Sequence, residues 1–230
     1  ASAEVLFDPS GWYLLGLGSL SVPSPSMGGD ASVFIGNYSV NQHIIDKFVP
    51  NSRVYQIFGE PPANFPAVNQ KFSGFYIEGG VHLPIPIIPQ FEFDCGLISA
   101  QLTHEIGADI RMSMNFTEAN TYHMGVSIYG RITAGLGASM GVVCASSSVT
   151  GKGLVSADGI YSSDGTWSAT GYSEFSISGS TELGFGACDS DCDGIFGVGP
   201  CVVNSESAKV GLFGKFTISN SGTDFEFGFK

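Results

Sequence analysis

The sequence predicts an all-β protein, an antiparallel meander curled into a barrel or a sandwich, with an irregular N-terminal third carrying one short helix. Three observations lead there. Long stretches alternate apolar and polar residues at period two, the signature of a strand with two unlike faces. The connections between them, "TEANT", "GKG", "SSDG", "CDSDCDG" and "SNSGT", carry Gly, Asn or Asp, which tolerate the positive φ of tight turns. Of 230 residues, 32 are Gly and 18 Phe while only 13% are charged, which suits sheets with many bends and is not the composition of a disordered chain.

Residues 1–70 read as an irregular N-terminal region packing on the sheet, and residues 71–230 as an antiparallel β domain. "VPSPSMGGD" is punctuated as a loop, and "DASVFIGNYSV" alternates only briefly. "SVNQHIIDKFVP" is the helix candidate. Ser39 caps it, Gln42 completes a capping box, Ile44, Ile45 and Phe48 give an apolar face, and Pro50 ends it. "FGEPPANFPAVNQ" is Pro-rich and reads as an extended surface connection.

From Lys71 the texture becomes that of strands. The prolines of "LPIPIIP" remove ladder donors, so that piece is an edge or a polyproline-like segment. In "HEIGADIRMSMNFT", residues 104–117, Ile106, Ala108, Ile110, Met112, Met114 and Phe116 fall on one parity. Glu105, Gly107, Asp109, Arg111, Ser113 and Asn115 fall on the other. "TYHMGVSIYGRITAGLGASMGVVCA" and "GTWSATGYSEFSISGSTELGFGA" repeat the pattern, and "SAKVGLFGKFTIS" and "TDFEFGFK" resemble it. For a domain in water the apolar parity belongs inside. The expected interior is Ile106, Ile110, Met112, Met114, Val126, Ile128, Ile132, Leu136, Trp167, Phe175 and Ile177. Their burial would contribute about 15 to 30 kcal/mol before chain entropy is subtracted.

The formal charge is -12, with 21 Asp and Glu against 9 Lys and Arg. Such a chain repels phosphate backbones, which argues against nucleic acid as a partner, and it attracts divalent cations. No apolar run is long enough for a transmembrane helix. "ASAEVLFDPSGWYLLGLG" has no basic residues ahead of its apolar stretch, so it does not read as an intact signal peptide.

Cys95, Cys144, Cys188, Cys192 and Cys201 are spaced unlike a zinc site and read as disulfide candidates of an extracellular protein, with one thiol left over. The alternative is a set of reduced, buried cysteines. "DSDCDG" places Asp189, Asp191 and Asp193 at alternate positions before Gly194, like the start of a calcium loop. The twelfth loop position holds Pro200 where a bidentate Glu would stand, so a plain acidic turn competes with that reading. Calcium is the only cofactor suggested. "NYS" at Asn37 and "NFT" at Asn115 are glycosylation sequons.

No catalytic constellation emerges. His43, His82, His104 and His123 are scattered, and the neighbours His104 and Glu105 point to opposite faces of a strand. The Gly-spaced "GLGSLS" and "GLGASMG" lack the Lys of a phosphate loop. Tyr122, Tyr129, Tyr161, Tyr172, Trp12 and Trp167 suit ordinary cross-strand packing first and stacking on sugars second.

"GADIRMSMNF", the cysteine of "VVCA" and "GKGLVSADGIYSSDGTW" resemble a Gly-rich β segment of very large secreted or surface proteins of Bacteroidota. The likeness runs over about residues 72–185, with Ile160 in place of the Trp of a G-W-Y turn and Tyr161 keeping its Tyr. It implies a surface-exposed or assembly-forming module and carries over no active-site residues.

The expectation is a non-catalytic extracellular or cell-surface structural or interaction protein, an oligomer or a subunit of a larger assembly with protein partners. Two other readings stand beside it: an outer-membrane β-barrel, which needs the apolar parity outside, and a calcium- or carbohydrate-binding lectin-like domain.

Overall fold

The computed structural model describes residues 1–9, 11–23, 26–59, 65–94, 98–117, 120–140, 143–185 and 202–230. The described strands form one antiparallel sheet: β1 (Ser2–Asp8), β2 (Gly11–Pro23), β3 (Ser26–Ser39), β4 (Lys71–Leu83), β5 (Phe91–Asp94), β6 (Ile98–Asn115), β7 (Thr121–Met140), β8 (Val143–Ser162), β9 (Trp167–Phe185), β10 (Val202–Ser219) and β11 (Gly222–Phe229). Each strand pairs with its sequence neighbour, except that β4 and β5 lie end to end along the same side of β6. The sheet is a meander, as the alternation predicts. Its end strands β1 and β11 are not paired with each other among the described residues.

The period-two stretches become the longest strands, with β7 and β8 of 20 residues each, and "GKG", expected as a turn, lies paired inside β8. The turn after β8 closes on Asp164, which accepts from the Thr166 hydroxyl at 2.7 Å and from the Thr166 N–H at 2.9 Å. Those bonds hold the Asp164 carboxyl below the usual carboxylate range. Gly165 supplies the left-handed conformation there, at φ 89°.

The first third is more regular than its punctuation predicts. β2 is apolar on both parities, with Tyr13, Leu15 and Leu17 facing one way and Trp12, Leu14 and Leu20 the other. With both parities apolar the strand reads as a continuous apolar run, and its period is hidden, although Trp12, Leu14 and Leu20 are exposed.

Between β3 and β4 lie α1 (Gln42–Phe48), a 3-10 turn (Val49–Asn51) and α2 (Arg53–Phe58). The predicted α1 is present, but its cap is Asn41, whose side chain accepts from the Ile44 N–H at 3.0 Å. Ser39 is still in β3, paired with Lys71. Pro50 lies in the 3-10 turn, and α2 follows, capped by Ser52 and ended by Gly59 at φ 77°. That second helix was not legible, because one turn with Val54 and Ile57 is too short to show a period.

The helices pack on one face of the sheet. Ile44 and Phe48 join Tyr13, Leu15, Phe34, Val40, Phe72 and Tyr76 in one buried cluster. Val54 and Ile57 join Tyr129 and Leu154 in a second. Lys47 pairs with Glu4 of β1, and Lys152 of β8 donates to the Ile57 carbonyl at 2.6 Å. A flat sheet would separate β1 from β8, six strand spacings along, by roughly 29 Å at about 4.8 Å per strand. Helices of 7 and 6 residues are only about 10 Å long each. The sheet therefore curls, with the helices on its concave side.

The curl has the opposite sense to the expected one. Glu105, Asp109, Arg111, Ser113, His123, Ser127, Glu174 and Ser176 are buried on the concave side. The expected interior faces outward: Ile110 is 62% exposed, Ile128 56%, Leu136 68% and Phe175 53%, and Ile106, Met112, Val126, Ile132, Trp167 and Ile177 are exposed as well. Met114 is half-buried on the same side. Period two divides a strand into two faces without saying which one is the core. The helical insert decides it, by placing its apolar side chains against the parity that begins with Tyr13, Phe34 and Tyr76.

Candidate functional site

The outward face is mainly apolar across the described strands, with polar residues such as Asn37, Ser173 and Thr181 between. On β7 the outward positions run Tyr122, Met124, Val126, Ile128, Gly130, Ile132, Ala134 and Leu136, with no polar residue between. On β8 they run Val149, Gly151, Gly153, Val155, Ala157, Gly159 and Tyr161. β10 and β11 present Val210, Leu212, Phe216, Ile218, Phe225, Phe227 and Phe229, all exposed.

At one end of the sheet the outward residues become aromatic. Tyr122 pairs in register with Tyr161, and Tyr161 with Trp167. The Tyr122 and Tyr161 rings lie 6.3 Å apart. Phe7 and Trp12, beside the β1–β2 turn, stack at 6.4 Å at the same end. Phe116 follows β6 there. All six side chains are exposed.

The concave side is a network of charges. Arg111 Nη2 lies 3.1 Å from Asp158 Oδ1, and His123 Nε2 lies 3.0 Å from the same oxygen. Arg53 of α2 pairs with Glu105, which also meets Arg131 Nε at 3.4 Å. The Ser52 hydroxyl donates to Glu78 at 2.6 Å, and Lys230 pairs with Glu174 at 2.8 Å. Glycines opposite these groups give them room. A Cβ on Gly125 would sit 2.1 Å from Asp158 Oδ1, so the Arg111–Asp158 pair lies directly over that glycine. Neither the inverted polarity nor this network was read from the sequence. The signals were there: ion-pair partners at matching register positions on the polar parity, and aromatics at strand ends.

His104 has outward parity, and the segment 84–90 between β4 and β5 covers it. The Ile85 N–H donates to Nδ1 at 2.9 Å, so Nε2 carries the proton and donates to the Ile88 carbonyl at 2.7 Å. "LPIPIIP" is thus a strap over the outer face. The adjacent Glu105 points inward to Arg53, so the two neighbours do lie on opposite faces.

The remaining candidates are dispersed. Asp189, Asp191 and Asp193, together with Cys95, Cys188, Cys192 and Cys201, lie outside the described residues. Cys144 is buried and free, so it is not a disulfide member here. Asn37 is exposed on β3. Asn115 ends β6, and its side-chain oxygen accepts from the Ser73 N–H at 3.3 Å and the Thr117 N–H at 3.2 Å. His43 lies 3.1 Å from Glu4, and the His82 ring lies over Gly28. Tyr129 and Tyr172 face inward, apart from the aromatics of the sheet end. Among the described residues no three His, Cys, Asp or Glu side chains are placed to hold a metal ion, and no helix is long and apolar enough to cross a membrane.

No protein-family model matches the chain, and neither a curated protein nor a solved structure matches it.

Proposed function

We propose that the protein is a non-catalytic, membrane-embedded β-barrel-type protein of a cell surface, with its outward face against lipid and its polar face enclosing the helical insert. The inverted polarity carries this reading. An apolar-out, polar-in alternation is what a strand in lipid requires, and it is the reverse of a strand in water. The total accessible area is 12916 Å². A water-soluble monomer of 24.1 kDa would expose about 10,000 Å². Ile110, Ile128, Leu136 and Phe175 lie exposed on one apolar face, which an ordinary soluble surface does not carry at that extent.

Dimensions and composition agree. The outward apolar run from Val149 to Tyr161 on β8 is about 43 Å long at 3.3 Å per residue, or about 30 Å once tilted by 45°. That matches the hydrocarbon core of a bilayer. The row Tyr122, Tyr161 and Trp167 suits the aromatic girdle found where hydrocarbon meets headgroups.

One observation favours protein partners as well. The end strands β1 and β11 leave ladder groups unpaired, which hydrocarbon does not tolerate. In lipid they must close on each other or on strands of other subunits. Ten strands lie along the sheet path, so β1 and β11 run antiparallel, as direct closure needs.

Fractionation of expressing cells followed by light scattering of the purified protein tests both readings. Retention in the membrane pellet through a carbonate wash, and extraction only by detergent, are expected. A monomer in detergent supports closure of β1 on β11, and a defined oligomer supports partner strands. A monodisperse monomer without detergent overturns the membrane reading.

A further inference from the structure

We infer that Asp30 and Asp109 form a site for a divalent cation on the concave side of the sheet. Asp30 of β3 and Asp109 of β6 are both register partners of Gly80 in β4, so they flank one glycine. The Asp109 carboxylate leans across it: a Cβ on Gly80 would sit 1.8 Å from Asp109 Oδ1. Asp109 is fully buried. Among the described residues, neither of its carboxylate oxygens nor either of those of Asp30 has a hydrogen-bond partner. Two facing carboxylates without partners are costly in a buried setting, and a cation between them removes the cost.

The two nearby arginines make their ion pairs elsewhere. Arg53 pairs with Glu105, and Arg111 with Asp158. Glu78 is the next inward residue along β4 from Gly80, beside the pair but not part of a three-carboxylate set. One of its oxygens accepts from Ser52, and the other is without a partner.

Tyr129 is an independent pointer to a ligand. It is 2% exposed, and its hydroxyl has no partner among the described residues. Its ring leans from β7 over Gly107, where a Cβ would sit 2.3 Å from the hydroxyl oxygen. Gly107 is the inward neighbour of Asp109 along β6, and the charges that act most on Tyr129 are those of Asp109 and Asp30. Unsatisfied oxygens from β3, β6 and β7 therefore border one region.

Carboxylate and hydroxyl oxygens select a hard cation, and two carboxylates suit a double charge. No complete protein ligand set is assembled, so water fills the remaining positions, as it does for magnesium and often for calcium. The site is separate from Asp189, Asp191 and Asp193, and it does not depend on the membrane reading.

Titration calorimetry and thermal melting of the whole EDTA-treated protein, with calcium and magnesium supplied separately, test the site. Binding of at least one cation and a raised melting temperature are expected. Asp30→Asn and Asp109→Asn each weaken that binding at least tenfold, while Asp189→Asn with Asp191→Asn leaves it in place. Both single substitutions keep the side-chain volume and remove a buried charge, so in EDTA these variants should melt no lower than the parent. Absence of binding, or binding unaffected by both substitutions, overturns the site. So does a melting temperature that responds to acid and to neither cation, because the two carboxylates would then share a proton.

Discussion

Arg111 and Asp158 reach each other across an intervening strand, over the bare backbone of Gly125. Arg111 of β6 pairs in register with Gly125 of β7, and Gly125 with Asp158 of β8. The contact at 3.1 Å skips a strand, which two directly paired strands cannot arrange. Arg111 is buried and Asp158 partly so, and His123 shares the carboxylate.

Gly125→Ala places a methyl carbon where Asp158 Oδ1 lies and separates the pair. Breaking a buried ion pair costs about 3 kcal/mol or more. Gly125→Ala is therefore expected to destabilise by roughly 3 kcal/mol. Gly151→Ala, on the outward face of β8 with open space around it, should change stability by less than about 0.5 kcal/mol. Chemical denaturation of the two variants in the same detergent compares them, and equal midpoints would contradict the geometry.

Ile128→Lys distinguishes lipid from water on the outward face. Ile128 is 56% exposed in the middle of the apolar run of β7. Facing water, the lysine is nearly neutral. Facing the middle of a bilayer, it costs about 2 to 4 kcal/mol. Reversible folding into vesicles measures the difference. Ser127→Lys is unsuitable as its control, because Ser127 accepts from Arg111 at 2.8 Å on the concave side.

The two tryptophans, Trp12 and Trp167, lie at the same end of the sheet on the outward face. In vesicles they are expected at the interface. Lipids brominated near the headgroup should quench their fluorescence more than lipids brominated near the chain ends. Stronger quenching by the deep label would move the aromatic row away from the interface.

The antiparallel meander from β4 onward was legible because alternation and turn residues are local signals, whereas β1–β3 were not, because both parities of β2 are apolar. The facing direction was not. Ile110 and Asp109 mark two faces equally well, and only contact with Phe48 and Ile57 of the insert shows which face the protein encloses. The cap of α1 was misplaced by two residues because both Ser39 and Asn41 can cap, and β3 claims Ser39 through its pairing with Lys71. The strap over His104 was hidden because prolines announce only that a ladder stops, not where the freed backbone goes. The Asp30–Asp109 pair joins residues 79 positions apart through the register of β4, a relation no local pattern carries.

Phe48→Ala tests whether the helical insert can loosen while the sheet stays folded. Phe48 is fully buried, stacks on Phe65 at 4.2 Å and meets the Tyr76 ring edge-on at 5.3 Å. It links α1 to β4 and to the segment that leads into β4. Truncation leaves a cavity that rings fixed on a sheet cannot close, so the expected loss is about 3 to 5 kcal/mol. Phe227→Ala removes the same side chain from the outward face of β11, where it is 61% exposed and leaves no internal cavity. Its cost should be much smaller. Phe48→Ala should also weaken the grip of Arg53 on Glu105, since α2 follows α1 after a single turn. Limited proteolysis then finds residues 40–70 cut faster than in the parent while β6–β10 stay protected. If those strands were lost together with the insert, the insert and the sheet would form one cooperative unit, and the picture of a sheet that encloses a separable plug would fail.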